Sequence, residues 1–322
     1  MMTQPNDMSA QQSSKLVIYA ALGGNILVAA SKLVAAAWTG SSAMLSEAIH
    51  SLVDTGNQLL MLYGIHRAAR PPDRQHPLGH GRELYFWSFI VALLIFSLGA
   101  GVSFYEGVSH ILHPVAISDP KVNYIVLGLA LLFEGASCLV ALREFNKVRN
   151  GLGFLAAARS SRDPTSFLVL FEDVAALAGI LIALAGTAAA EWLDNPQIDG
   201  VASIGIALVL AATAGFLANE SKGLLIGEPA RKPILTSIRQ IAAAHPGVCA
   251  VTNLLTVHLA PAQIVAAFDL DFLDDLRASE VEQIADDLQQ RIRHRHPEII
   301  RVFISPRQSR ANSHGSAAAP LR

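Results

Sequence analysis

Long apolar runs alternate with short polar connections over most of the first 220 residues. A helix needs about 20 apolar residues to cross about 30 Å of hydrocarbon at about 1.5 Å per residue. Six runs meet this length, approximately at residues 16–38, 42–65, 84–112, 122–142, 165–190 and 198–217. The pattern predicts an α-helical membrane protein with six transmembrane helices, in a domain spanning residues 15–222.

The pattern changes after residue 222 to that of a small soluble domain. Ile234, Ile238 and Ile241 recur at helical spacing, and residues 264–272 alternate between apolar and polar positions, as a half-buried strand does. A second amphipathic helix and a last apolar strand follow. The order predicts a compact αββαβ unit of the α+β class over residues 223–306. The polar segments 1–14 and 307–322 are predicted to be disordered tails.

The composition supports a membrane protein. Of the 322 residues, 52% are hydrophobic and 16% charged, with a mean hydropathy of +0.40, and soluble domains seldom reach this balance. A net charge of -2, without a basic stripe, argues against nucleic acid as a partner. Cys138 and Cys249 form neither a disulfide framework nor a C-x-x-C pair. The polar N-terminus lacks the features of a cleavable signal peptide.

Basic residues are distributed unevenly among the connections. The loops after the second and fourth runs carry several Arg and Lys residues, whereas the alternate loops contain only Lys121. By the positive-inside rule, the basic loops, both termini and the C-terminal domain are predicted to be cytoplasmic.

Ionisable residues interrupt the second and fifth apolar runs. His50 and Asp54 are four residues apart, so a helix places them on one face. Glu172 and Asp173 are adjacent, so their side chains diverge by about 100° and are not both expected to reach one ion. An ionisable group at mid-bilayer depth costs about 2.5–3.5 kcal/mol and needs a partner. A divalent cation is the natural partner for this set; the alternative is a histidine that packs between helices.

These features together resemble the cation diffusion facilitator family over nearly the whole chain. The resemblance rests on the six spans, the αββαβ tail, the H-x-x-x-D of His50 and Asp54, the acidic residue early in the fifth span and residues 73–87. Residues 220–230 are similar to the branch of zinc transporter nine. The resemblance implies a metallochaperone-like cytoplasmic domain and a homodimeric exporter that exchanges a divalent metal for protons.

The resemblance further implies no enzyme activity and no prosthetic group. Zn²⁺ is the expected substrate, and Mn²⁺, Fe²⁺ and Co²⁺ remain open because a site of imidazole and oxygen ligands does not choose among them. The sequence shows no organelle address, so the expected location is the inner membrane of a bacterium.

The family's transport site takes two ligands four apart from the second span and two from the fifth. His50, Asp54 and Asp173 fill three of these positions, but the fourth falls on Val169, which cannot ligate. The alternatives for the fourth ligand are Glu172 and Asn57, favoured equally, then Glu47 or water.

The family also places a surface metal at a D-x-x-H-x-x-x-H arrangement, which Asp73, His76 and His80 reproduce here. The alternative is that the two histidines form a turn and a helix cap. In the tail domain His258 is retained, but Phe303 and Ser305 stand where the family has His and Asp. A binuclear zinc site is therefore not expected there, and the domain is interpreted as a dimerisation unit.

Several other polar residues lie in the predicted spans. Asn25, Lys32 and Glu134 are interpreted as groups that pair across helices or line an access path, and Asp199 is expected to face the vestibule on the far side.

Two other functional classes remain for this sequence. An intramembrane zinc protease is disfavoured because its H-E-x-x-H motif is missing. A transport-inactive regulatory or scaffold protein is compatible with Val169 at a ligand position.

Overall fold

The structure is a computed structural model that describes residues 5–148, 153, 156–158 and 161–307. The chain divides into two compact units, Met1–Gly223 and Leu224–Arg322. Arg149 and Arg159 of the predicted basic loop lie outside the described residues, as does the predicted C-terminal tail except Arg307.

The first unit is built from long helices. They are α1 Pro5–Thr39, α2 Ser42–Ala68, α3 Glu83–Leu94, a π-helical turn Ile95–Ala100, α4 Gly101–Leu112, α5 Pro120–Val148, α6 Pro164–Trp192 and α7 Gln197–Ile226. Each predicted apolar run lies within one of these helices, or, for the third run, within the continuous segment from α3 to α4. The predicted class, a helical membrane domain followed by a small α+β domain, is confirmed.

Within the part of the chain that the structure describes, five segments are long and apolar enough to cross a membrane: Leu22–Thr39, Glu83–Leu112, Pro120–Arg143, Phe167–Trp192 and Gln197–Ile226. The remaining predicted span, α2, has 27 residues and a length of about 40 Å. Its apolar character is interrupted by Glu47, His50 and Asp54. α2 packs against α1, α3, α4 and α6, so neighbouring helices, rather than lipid, contact many of its polar side chains.

The start of α1 differs from the prediction. The helix begins at Pro5, so residues 5–14 are helical rather than a disordered tail, and residues 1–4 lie outside the described part. Proline suits the first helical position, and residues 6–15 contain no glycine or proline that would end a helix. The apolar run in the sequence therefore predicts the membrane-spanning part of α1 but not the polar helical extension before it.

Short caps determine where α2 and α6 begin. Gly40 has a positive φ of 70°, which lets the chain turn tightly between α1 and α2. The Ser41 hydroxyl then accepts a hydrogen bond from the Met44 amide at 3.1 Å, and Asp163 caps α6 through the Thr165 amide at 3.1 Å. These caps fix the depth of the polar residues two to three turns later.

The second unit has the predicted αββαβ order. Its elements are α8 Lys232–Ala243, β1 Val248–Ala260, β2 Gln263–Phe272, α9 Ala278–Arg295 and β3 Ile299–Pro306. The sheet order is β1-β2-β3, with β1 antiparallel and β3 parallel to β2. The predicted alternation in β2 is confirmed, because Ile264, Ala266, Phe268 and Leu270 are buried in a core shared with α8 and α9. The helices thus cover one face of the sheet.

Candidate metal site

His50 and Asp54 lie on successive turns of α2 and face each other. His50 Nδ1 is 3.4 Å from Asp54 Oδ1. His50 is only 1% exposed, and neither of its ring nitrogens, nor Asp54 Oδ1, has a hydrogen-bond partner among the described residues. Buried polar atoms normally have partners, so a bound ion would satisfy both groups.

The two acidic residues of α6 turn toward different helices. Asn57 Nδ2 of α2 donates a hydrogen bond to Glu172 Oε1 at 2.8 Å. Ser137 Oγ of α5 donates one to Asp173 Oδ2 at 3.1 Å. Glu172 and Asn57, the two favoured alternatives for the fourth ligand, are therefore bonded to each other.

A cavity of about 20 Å³ separates α2, α5 and α6, and its lining includes Asn25, Asp54, Glu134, Val169, Glu172 and Asp173. About 10–15 Å³ is enough for one water, so the cavity has room for one ion. Val169 borders the same space as the predicted carboxylate ligands but contributes no ligand atom. His50 lies beside this lining, in contact with Asp54.

A second cavity of about 330 Å³ adjoins the first and is lined mainly by apolar residues, among them Met61, Ile65 and Leu168. Val169 and Glu172 line both cavities. The larger cavity lies along the C-terminal half of α2 and the N-terminal half of α6, toward the end of the bundle that carries the basic loops. It offers an access path from that end to the carboxylates.

A buried ion pair lies one turn before His50. Lys32 Nζ is 3.1 Å from Glu47 Oε2, and both side chains are fully buried. Lys32 also donates to Ser51 Oγ at 2.8 Å. Glu47, one of the alternatives for the fourth ligand, thus forms an ion pair with Lys32. Lys32, interpreted from the sequence as a group that pairs across helices, does so.

Asp199 does not face a vestibule, contrary to the prediction. It is fully buried and accepts hydrogen bonds from Ser41 Oγ at 2.8 Å and the Ser42 amide at 2.6 Å. A carboxylate is favoured at a helix N-terminus because the first amides lack partners and the helix dipole is positive there. Asp199 therefore anchors the start of α2 to α7, a role that its position near the end of an apolar run does not reveal.

The loop between α2 and α3 brings three potential ligands together. Asp73 Oδ1 is 3.2 Å from His76 Nδ1, and Asp73 Oδ2 is 3.1 Å from His80 Nε2. One ligand atom from each residue lies within 4.8 Å of the others, an arrangement that no other His, Cys, Asp or Glu group among the described residues shows. Gly79, with a φ of 87°, permits the tight return of the chain.

The same loop is also a turn, as the alternative interpretation expected. Asp73 Oδ1 accepts hydrogen bonds from the amides of Gln75 and His76 at 2.8 and 2.7 Å. Hydrogen bonds, the largest contribution coming from the His76 amide and smaller ones from the His80 side chain, the Gln75 amide and the His76 side chain, lower the pKa of Asp73 to about 2 and outweigh desolvation, which raises it. The carboxylate is consequently ionised, as metal binding requires.

In the second unit His258 is buried on β1, with Nδ1 3.3 Å from the Ala260 carbonyl oxygen. Phe303 and Ser305 are exposed on β3. Nearby, Asp269 Oδ2 accepts hydrogen bonds from Asn253 Nδ2 at 2.8 Å and Arg307 Nη1 at 3.2 Å. These contacts fasten the first residue of the predicted tail to the sheet.

Comparison with known proteins agrees with this architecture. Residues 18–226 match the family model for the cation efflux transmembrane domain, and residues 230–305 match that for the cation efflux protein cytoplasmic domain. The chain is 35% identical over 243 residues to the proton-coupled zinc antiporter SLC30A9, mitochondrial, of Xenopus laevis, covering 75% of this chain and 44% of the relative. It is 36% identical over 219 residues to metal tolerance protein C4 of Arabidopsis thaliana, covering 67% and 48%.

A bacterial protein matches over a greater length. The chain is 26% identical over 290 residues to the cation-efflux pump FieF of Escherichia coli, covering 89% of this chain and 91% of the relative. By contrast, it spans less than half the length of the SLC30A9 and C4 relatives that it matches.

Proposed function

The chain belongs to the cation efflux, or cation diffusion facilitator, family, and from that premise we propose that it exports a divalent metal ion from the cytoplasm in exchange for protons. The observation that carries the proposal is the buried His50–Asp54 pair, whose facing atoms have no hydrogen-bond partner among the described residues. The pair lies beside a cavity that Asp173 also lines. Relatives that share this architecture include a protein named as a proton-coupled zinc antiporter.

The ligands proposed are His50, Asp54 and Asp173, with Glu172 or Asn57 as the earlier alternatives for a fourth. One imidazole with carboxylates is a harder set than a thiolate site, which favours Zn²⁺, Mn²⁺, Fe²⁺ or Co²⁺ over Cu(I). Zn²⁺ is the first choice. The same groups bind either metal or protons, so protons arriving from the far side weaken metal binding and drive release.

The proposed orientation places the basic loops and both termini in the cytoplasm, with the 330 Å³ cavity as the cytoplasmic vestibule. Residues 15–222 form the transport domain and residues 223–306 the dimerisation domain. Asp73, His76 and His80 form a peripheral metal site. The bacterial inner membrane is the proposed location.

A transport-inactive regulatory protein is the second candidate, because Val169 lines the cavity where the family pattern has a ligand. Such a protein would bind metal without moving it.

Flux into proteoliposomes separates the two functions. We expect the reconstituted protein to carry Zn²⁺, and in a panel also Mn²⁺, Fe²⁺ or Co²⁺, at a rate that depends on a proton gradient. Asp54→Ala should lower this flux by about 100-fold or more, since loss of an outer partner of a metal ligand already costs about 10–100-fold. Glu106→Gln on α4, away from both cavities, is the matched control. Normal flux in Asp54→Ala would refute the proposed site, and metal binding without flux in the parent would support the regulatory protein.

A further inference from the structure

The family pattern leaves the metal site one ligand short at Val169, and a carboxylate from another helix borders the same cavity. We propose that Glu134 of α5 is the missing ligand of the transported ion. This inference rests on the proposed function and adds one ligand to the proposed metal site.

Glu134 lies at about the depth of Asp54. Hydrogen bonds from Ser137 and Asn57 set α5 and α2 against the two adjacent carboxylates of α6. Glu134 is three residues before Ser137, and Asp54 is three residues before Asn57. α2 and α5 are the second and fourth spans and run in the same direction. The backbone positions of Glu134 and Asp54 therefore lie about 4.5 Å along their helix axes from Ser137 and Asn57, toward the same end of the bundle.

The Glu134 carboxylate has no protein partner among the described residues. No hydrogen bond or ion pair holds it among the described residues, although it is half-buried and lines the cavity. Three other acidic groups in this region have partners: Glu47 with Lys32, Glu172 with Asn57, and Asp173 with Ser137. An acidic residue within a membrane helix requires a partner, and a cation in the cavity would provide one.

On α2, polar atoms of His50 and Asp54 also lack hydrogen-bond partners among the described residues. His50, 1% exposed, has neither ring nitrogen hydrogen-bonded among the described residues, and its Nδ1 faces Asp54 Oδ1, which is equally unbonded there. The cavity of about 20 Å³ is lined by both Asp54 and Glu134 and has room for one ion, and His50 adjoins it through Asp54. The side chains would have to close around the ion, because among the described residues only the loop group has three ligand atoms within 4.8 Å of one another. The resulting set is one imidazole and three carboxylates, which also suits Mn²⁺, Fe²⁺ and Co²⁺.

Cobalt binding tests this assignment, because the visible d–d bands of Co²⁺ differ between four-coordinate and higher-coordinate sites. The full-length protein carries His76→Ala and His80→Ala, so that the loop does not contribute to the spectrum. In this parent, Glu134→Gln should weaken Co²⁺ binding by at least about tenfold, or 1.4 kcal/mol, and alter the bands. Glu134→Asp should restore part of the affinity, and Glu106→Gln should match the parent.

Each outcome decides between the assignment and its premise. Unchanged affinity and bands in Glu134→Gln, together with loss of binding in Asp54→Ala, would overturn the role of Glu134 and leave the proposed transporter intact. Parent-like binding in both variants would overturn the proposed site as well. If Glu134→Gln does not fold, Glu134→Asp decides: altered bands support the assignment, and parent-like affinity and bands overturn it.

Discussion

At the scale of single residues, unsatisfied polar atoms are concentrated on α2. The ring nitrogens of His50, Asp54 Oδ1 and Asn57 Oδ1 are all buried and have no hydrogen-bond partner among the described residues. Each such group costs about 1–3 kcal/mol in a folded protein. A bound ion would recover part of that free energy, which is what the proposed metal site requires. The Lys32 ammonium on the neighbouring helix, by contrast, is satisfied, because it donates hydrogen bonds to Glu47 and Ser51.

We expect the metal preference to depend on the side chain at position 169. Val169→His should raise the ratio of Zn²⁺ to Mn²⁺ flux by about tenfold, since a second imidazole favours the borderline-soft Zn²⁺ and a tenfold change requires only about 1.4 kcal/mol. Glu172→Gln should reduce binding strongly if Glu172 ligates and mildly if it does not. Competition flux in proteoliposomes measures both effects.

The same substitution at Val174, on α6 but outside both cavities, is the control for Val169→His. A metal preference that stays constant in Val169→His would mean that this side chain does not face the bound ion.

At the scale of elements, contacts between helix ends hold the Asp73–His76–His80 loop in shape. Arg67 Nη2 of α2 is 2.6 Å from Glu83 Oε1 of α3, and Trp87 Nε1 donates to Glu83 Oε2 at 2.9 Å. The Glu83 amide in turn donates to the His80 carbonyl at 2.9 Å. Protein contacts alone therefore set the geometry of the Asp73, His76 and His80 side chains.

Removing the two loop histidines should separate binding from transport. His76→Ala with His80→Ala should lower the bound Zn²⁺ by one ion per protomer in equilibrium dialysis. Flux should fall less than in Asp54→Ala, because the loop lies outside the membrane path. A double variant without flux but with full metal stoichiometry would show that the histidines are structural or coupling residues.

The loop should also tolerate mild acid. Because its folded pKa of about 2 is below the ordinary 3.8, Asp73 contributes stability that is fully present above about pH 4 and is lost as the pH falls through about 2. Carboxyl NMR of the metal-free protein should show a titration midpoint near 2. A midpoint near 4 would mean that the His76 amide does not bond to Asp73 in solution.

At the scale of the whole molecule, the two units present different surfaces. The helices of the first unit expose apolar side chains, as contact with lipid requires. In the second unit one sheet face is covered by α8 and α9, whereas Leu255, Ala267 and Phe303 form a cross-strand row on the other face. Leu255 is 70% and Phe303 56% exposed. An apolar row of this kind is typical of an interaction surface, which agrees with a dimerisation domain.

Charge on this row should weaken self-association. Leu255→Glu with Phe303→Glu should shift the full-length protein from dimer toward monomer in mass photometry, because pairing would then bury like charges. Leu273→Glu, at another exposed leucine of the same unit, should leave the dimer unchanged. A stable dimer in the double variant, with unaltered circular dichroism, would exclude this face as the main contact.

The sequence predicts where the helices and strands lie along the chain better than it predicts which face of each helix contacts its neighbours. Apolar length defines the helices, and the four-residue spacing of His50 and Asp54 defines their shared face. The partnership of Ser137 with Asp173 and the position of Glu134 depend on which side of α5 meets α6. α5 is apolar around most of its circumference, so its sequence has no periodicity from which that side could be predicted. The buried cap at Asp199 likewise depends on contacts between helices that are distant in sequence.

The Lys32–Glu47 pair has a consequence for biogenesis. Either charged side chain alone in the bilayer costs roughly 2.5–3.5 kcal/mol, and in the folded chain the two fully buried groups pair with each other. The two residues are on consecutive helices joined by the tight turn at Gly40. The first helix is therefore expected to insert less favourably alone than together with the second. We expect the two helices to insert preferentially as a hairpin, which is complete only when the chain has been made through Ala68.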